Sequence, residues 1–290
     1  MLTLAGRAAL ITGGSRGLGL AIAGRFARSG AHVAIVGRDE EALSRARAAI
    51  VDARRIPSQI VRSFAADVVD EQRLTAVLAS FAASAGPLTV LVNNAAVQGP
   101  IGEFDRIDWA QWSAAMAVDL LAPINLCRLV LPGMRSQGYG KIVNLSGGGA
   151  TGPRPRFSAY ATAKSGLVRF TETLATELRG TGIDVNALAP GAMNTQLLDQ
   201  VLAAGPEAAG AEYDEARRRQ SEGGTSTDRA ADLAVFLASA ASDGITGRLL
   251  SAVWDPWEDL AAHRDEIANS DVYTLRRIVP KDRGLTWGDR

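Results

Sequence analysis

Tyr160 and Lys164 stand four residues apart in Tyr160-Ala161-Thr162-Ala163-Lys164, a helix-compatible stretch. On a helix that spacing puts both side chains on one face. A phenol titrates near ~10, too high to exchange protons freely at neutral pH. An ammonium alongside favours the phenolate and lowers that value. Such a pair can protonate a carbonyl oxygen that is becoming an alkoxide, or act as base in reverse. The spacing alone also describes many surface Tyr–Lys pairs, so its meaning depends on context.

The context begins near the N-terminus. Thr12-Gly13-Gly14-Ser15-Arg16-Gly17-Leu18-Gly19 follows an apolar β-type run, Ala8–Thr12, and opens a helical pattern, Leu18–Ser29. Glycines at such a junction let the backbone approach a pyrophosphate, and the helix N-terminus adds free N–H groups and a positive dipole end. A dinucleotide site is expected there. An acid at the tip of the second strand would accept from ribose hydroxyls and repel a 2′-phosphate. That strand ends instead Val36-Gly37-Arg38. Arg38 offers a bidentate donor pair to phosphate, and Arg16 a second cation. Asp39 and Glu40 read as the start of the next helix, where acids suit the dipole. NADP(H) is therefore expected in preference to NAD.

These residues need a scaffold. Apolar β-type runs at Ala8–Thr12, His32–Val36, Ile60–Ala65, Thr89–Val92, Lys141–Leu145, Asp184–Leu188 and Arg248–Val253 alternate with helical patterns. The helical patterns are Leu18–Ser29, Glu40–Val51, Glu71–Ala85, Trp109–Met134, Ser158–Arg179 and Arg229–Ala240. Strict alternation predicts an α/β fold with a doubly wound parallel sheet, helices on both faces. We read residues 1–254 as one catalytic domain of Rossmann type and 255–290 as a C-terminal extension. Within the domain, 194–227 is rich in Ala, Gly, Glu and Arg and reads as a mobile substrate-loop insert.

At this point the chain resembles the short-chain dehydrogenase/reductase family over roughly Leu4–Val253. The matching motifs are Thr12–Gly19, Ala66-Asp67-Val68, Asn93-Asn94-Ala95-Ala96, Tyr160-x-x-x-Lys164, and Asn186 through Pro190-Gly191 to Thr195, in family order. The resemblance implies a cofactor site built from Gly13, Ser15, Arg16, Gly17, Leu18, Gly19 and Arg38. It places Asp67 and Val68 at the adenine, and Asn93 and Ala95 along the trough. Pro190, Gly191 and Thr195 would flank the nicotinamide. Tyr160 would be the proton donor, and Lys164 would hold the nicotinamide ribose and tune Tyr160.

Two positions depart from the family pattern. The serine usual thirteen residues before the tyrosine is Gly147, with Ser146 beside it. Neighbouring side chains on a strand face opposite ways, so Ser146 is expected to serve only if the flexible Gly147-Gly148-Gly149 run re-aims it. The asparagine usual seven residues after the tryptophan is Asp119, counted from Trp112. An ionised carboxylate accepts hydrogen bonds and donates none. The implied activity is hydride transfer between the nicotinamide and a ketone or secondary alcohol. The departures keep two alternatives open: a cofactor-binding protein with little redox turnover, and an epimerase or dehydratase using bound cofactor transiently.

Composition narrows the partners. The 290 residues carry 31 Lys+Arg against 31 Asp+Glu, so no global field draws the chain to nucleic acid or an anionic membrane. Cys127 is the one cysteine and His32 and His263 the only histidines, which disfavours a disulfide or a metal site. No signal-peptide pattern opens the chain, and no apolar run approaches ~18 residues, so no membrane span is expected. A cytoplasmic enzyme with a small-molecule substrate is expected, and the family resemblance implies a homodimer or homotetramer assembled through the helices around Leu120–Met134 and Ser158–Arg179.

Overall fold

Strand β1 (Ala8–Thr12) is buried along its whole length in the computed structural model, which describes residues 2–287. That explains its unbroken apolar run: helices cover both faces, so no side of the strand meets water. The other strands are β2 (His32–Gly37), β3 (Val61–Ala65), β4 (Val90–Asn93), β5 (Gly140–Leu145), β6 (Ile183–Ala189) and β7 (Leu249–Ser251). They form one sheet in the order β3-β2-β1-β4-β5-β6-β7, every pair parallel. The order reverses between β1 and β4. Ligands of open α/β sheets bind at such a switch point, outside the strands' carboxyl ends.

Helices α1 (Gly17–Arg28) and α2 (Glu40–Asp52) pack on one face of the sheet. Leu18, Ile22 and Phe26 of α1 bury against Ile11, Val33 and Ile35. Helix α3 (Glu71–Ala85) covers the other face with Leu74, Val77 and Phe81. Asp39 and Asp70 cap α2 and α3 by accepting from Ala42 and Arg73 N–H, so the reading of Asp39 as a helix start holds.

The long apolar helix is in three parts. Helix α4 (Trp109–Met116) runs through a π-helical turn, Ala117–Leu121, into α5 (Ala122–Gln137). The turn has a covalent cause. Pro123 has no N–H to donate to the carbonyl of Asp119, and its ring crowds that carbonyl, so the helix opens there. The continuous run is long and apolar enough to cross a membrane, with mean hydropathy 1.7, which corrects the reading that no such run exists. Its Leu126, Cys127, Val130 and Met134 are buried with Leu91, Ile142 and Val185 of the sheet, as in a core helix.

Helix α6 (Ser158–Glu177) follows β5 and carries Tyr160 and Lys164 in its first two turns. The segment read as a mobile loop is instead helical: α7 (Gln196–Ala209), broken at Gly205, and α8 (Ala211–Glu222). Ala, Leu, Glu and Arg are strong helix formers, and that propensity prevailed over the punctuating glycines. Phe157, Leu198, Val201, Ala209 and Ala216 form a small apolar cluster that seats this pair.

Helix α9 (Thr227–Ala238) joins the α1 face of the sheet. Beyond β7 the chain turns back, with a short α10 (Arg264–Ala268), and buries Trp257, Leu260 and Ile267 in the same cluster as β1. Arg248 donates to the carbonyls of Ile267, Ser270 and Val272, and Leu249 N–H to that of Tyr273. The segment thus satisfies the edge strand, and its described residues stand away from the cleft. Gly288–Arg290, the end of the expected extension, lie outside the described residues.

Candidate active site

The carboxyl ends of β1, β2, β4, β5 and β6 open into one cleft of about 980 Å³. Its floor is the glycine turn. Gly13 has φ +62, and a Cβ there would stand 2.9 Å from Asn94 Nδ2. A Cβ on Gly19 would stand 2.3 Å from the Gly13 carbonyl oxygen. Only bare backbone fits, and it leaves α1's N-terminus open to the cleft. The residue before α1, Arg16, supplies no side-chain cap. The first-turn N–H groups therefore have no partner within the helix. A cradle without side chains, ending on free N–H groups, fits a dinucleotide pyrophosphate.

Ser15, Arg16, Gly17 and Leu18 line this floor. Arg38, Asp67 and Val68 line the end beyond β2. Ala95, Pro190 and Thr195 stand on the walls towards Tyr160 and Lys164. Arg16 is not free: it pairs with Asp39 at 3.6 Å, and both side chains are about half exposed. Asp39's carboxyl is held below the usual range by Ala42 N–H and then by Arg16. Arg38 is left as the stronger candidate for a phosphate contact.

Two expected cofactor-site residues, Asn93 from the trough and Gly191 from the nicotinamide end, are not among those lining the cleft. Asn93 is buried with its amide turned into the sheet, donating to Asn144 Oδ1 at 2.9 Å and Pro123 O at 3.4 Å. The next residue, Asn94, faces the site. It donates to Thr12 O and Gly13 O at 2.9 and 3.2 Å, while Thr12 Oγ1 accepts from Asn94 and Ala95 N–H. Strand alternation is the reason: one of two adjacent asparagines must face away. Gly191 has φ +88, and a Cβ there would stand 2.6 Å from Val253, so only glycine fits beside the cleft wall. Asn186 serves the scaffold, tying Ile245 O and Arg248 N–H at the β7 edge.

The reacting groups gather at the far end. Tyr160 is 6% exposed and Lys164 is 2% exposed. Lys164 Nζ donates to the Leu145 carbonyl at 3.0 Å and lies 5.4 Å from the Tyr160 ring centroid. Behind Lys164 is Asp119, on the π-helical turn and 1% exposed. Its Oδ1 accepts from Val97 N–H at 2.9 Å, and its Oδ2 is buried without a partner. Burial pushes this carboxyl up to about 6, against the pull of the Lys164 ammonium and the Val97 N–H. Burial depresses the ammonium, with Asp119 opposing.

Tyr160 differs from the expected low-pKa phenol. Burial, and next the charge of Asp119, push it above its usual value; Arg154 pulls it down and Glu212 pushes it up again. The nearby carboxylate of Asp119 thus acts on the phenol in the sense opposite to the activation expected from Lys164. The serine position explains the pose of the ring. A Cβ on Gly147 would stand 2.2 Å from the Tyr160 hydroxyl, so the phenol occupies the room a serine would take. Ser146 lines the cleft with Tyr160, and its Oγ is buried and without a partner among the described residues. The residue thus reaches the cleft wall beside Tyr160, while its hydroxyl oxygen is itself buried.

Three residues near the site carry little sequence signal: Gln98, Arg154 and Glu212. Gln98 N–H donates to Gln200 Oε1 and its amide to Leu197 O, which ties α7 to the loop after β4. Arg154 and Glu212 are a bidentate pair between the loop before α6 and α8.

The chain is similar in sequence and fold to known proteins. Residues 7–204 match the family model described as short chain dehydrogenase. A short chain dehydrogenase of Monascus purpureus is 31% identical over 278 residues, covering 94% of this chain and 89% of that protein. The crystal structure of levodione reductase superposes with a TM-score of 0.78 at 28% identity, covering 89% of this chain and 98% of that one. A gluconate 5-dehydrogenase from Burkholderia cenocepacia, in complex with NADP and tartrate, gives a TM-score of 0.74 at 30% identity, covering 86% of this chain and 94% of that one.

Proposed function

The chain belongs to the short-chain dehydrogenase/reductase family, oxidoreductases that act on CH–OH groups with a nicotinamide cofactor, and from that premise we propose an NADP(H)-dependent reductase in which Tyr160 moves the proton. One observation supports this best: Tyr160 and Lys164 share a single cleft with the bare-backbone cradle of α1. The bound nicotinamide would supply or accept the hydride. The chain's own part is positional and electrostatic. The α1 N–H groups would hold the pyrophosphate, and Lys164 would hold the ribose. Tyr160 would protonate the substrate oxygen as it becomes an alkoxide. Ser146, which lines the cleft beside Tyr160, is the candidate hydroxyl to polarise that oxygen once turned towards it. The test is NADPH oxidation against a panel of ketones. Tight NADPH binding with no turnover across the panel would favour a cofactor-binding protein instead.

The Arg38 guanidinium supports NADP(H) over NAD. A bidentate contact to phosphate is worth roughly 1.5–3 kcal/mol. Arg38→Ala is therefore expected to weaken NADPH binding by about 10- to 100-fold, and NADH binding by less than about 2-fold. Titration by nucleotide fluorescence decides this, and an equal loss for both would argue for NAD. Gly147→Ala is expected to drive the Tyr160 ring aside. A displacement of ~1 Å can cost ~100-fold in rate, so kcat should fall by about 10- to 100-fold with NADPH affinity unchanged. An unaltered kcat would mean that Tyr160 works from another position.

The remaining features fit a cytoplasmic homo-oligomer. Cys127 is free and buried, as suits a reducing compartment. Trp109 and Leu121 on the α4–α5 run are well exposed and offer a second copy an apolar face.

A further inference from the structure

Resting on the reading of this chain as a carbonyl reductase, we infer that Arg154 selects the substrate by gripping the carboxylate of a short oxo or hydroxy acid, and that Glu212 holds that place until the substrate displaces it. Arg154 follows the Gly147–Gly149 run at the end of β5. Its guanidinium lies 3.9 Å over the Phe157 ring and 5.2 Å from the Tyr160 ring centroid. All three guanidinium nitrogens are engaged: Nε donates to Glu212 Oε1 at 2.6 Å, Nη2 to Glu212 Oε2 at 2.5 Å, and Nη1 to Gln98 Oε1 at 3.2 Å. This is the parallel two-bond fork that guanidinium makes with a planar carboxylate. It stands beside the ring of the proposed proton donor, at the edge of the cleft that Tyr160 lines.

The two partners are unequal. The Arg154 side chain is 14% exposed, the Glu212 side chain 35%. Glu212 can withdraw into water with α8, whereas Arg154 is wedged between Phe157 and the glycine run. A guanidinium left unpaired at that depth is costly, so the displacing group must itself be a planar anion. Gly210 at φ +58 and Gly223 at φ +92 flank α8, and Glu212 sits in its first turn, next to the Gly210 joint. Glu212 also raises the Tyr160 phenol. A carboxylate in its place is thus within electrostatic reach of the proton donor, and the reacting carbonyl would lie only a few bonds from the acid group.

The test uses acetoacetate and 4-oxopentanoate, each beside its methyl ester. Binding is measured by calorimetry on the full chain saturated with NADP⁺, and turnover separately with NADPH. The acids should bind the wild type at least about 10-fold more tightly than their esters. Arg154→Gln should cut acid binding by at least about 10-fold more than ester binding. Glu212→Gln should do the opposite and tighten acid binding several-fold, because it removes the internal competitor. A merely structural ion pair would give loss in both variants. Equal effects on acid and ester, or weaker acid binding in E212Q, overturn the inference, and E212Q alone decides if R154Q does not fold. Because binding is read apart from turnover, acids that bind without being reduced would count against Tyr160 chemistry and leave the anion site standing. Esters reduced with no preference for acids would do the reverse.

Discussion

Tyr160→Phe is expected to lower kcat for NADPH-dependent ketone reduction by about 10²–10⁴-fold, the usual worth of a positioned general acid. Dinucleotide affinity should stay within about 2-fold, because the cradle at Gly13–Gly19 lies apart from the hydroxyl. Removing one oxygen leaves the ring packed as before, so the melting temperature should hold. The measurement is steady-state kinetics beside a Tm and an NADPH titration. Turnover equal to wild type would exclude Tyr160 as the acid. Burial and the charge of Asp119 raise the phenol above its usual value. A phenol that keeps its proton suits reduction, where it must give that proton up only to a developing alkoxide. Alcohol oxidation needs the phenolate and should require more alkaline solution.

The second large effect is expected from Asp119→Asn. The wild-type carboxyl titrates at about 6, so at neutral pH it places a negative charge beneath Lys164 that also raises Tyr160. Asparagine keeps the acceptor for Val97 N–H and removes the charge. The alkaline limb of alcohol oxidation should move to lower pH by about one unit, which is about 10-fold in rate at a fixed pH on that limb. Stability carries an independent signature. The folded value of about 6 lies above the ordinary 3.8, so the native state binds the proton more tightly. That contribution is complete below 3.8 and is lost as pH rises through about 6. It amounts to on the order of 3 kcal/mol. Losing the counter-charge to Lys164, whose ammonium burial already depresses, opposes it. The difference in Tm between D119N and wild type should therefore become more favourable to the variant from pH 4 to pH 7. A flat difference would show that Asp119 does not ionise in the folded protein.

What could be read in advance follows local rules. The glycine turn, the alternation of strand and helix, and the Tyr160–Lys164 spacing are each set within a few residues. Their placement in the structure matches because a parallel sheet leaves those turns nowhere but the carboxyl edge. Reading went astray where two local rules competed. At 196–222 helix propensity overcame the glycines. At 93–94 the motif does not say which asparagine side chain faces the cleft; period-two alternation turns Asn93 into the sheet.

The sequence by itself determined the elements, the cradle and the two reacting side chains, because backbone propensity and one-face spacing are properties of neighbouring residues. The electrostatics of the site were decided only by tertiary structure. Asp119 comes beneath Lys164 through a helix that Pro123 opens, and Arg154 meets Glu212 through a fork spanning |i−j| = 58. Gly147 yields its side-chain space to a phenol thirteen residues on. Charge and burial act through space over several ångströms, and which groups share that space is fixed by packing.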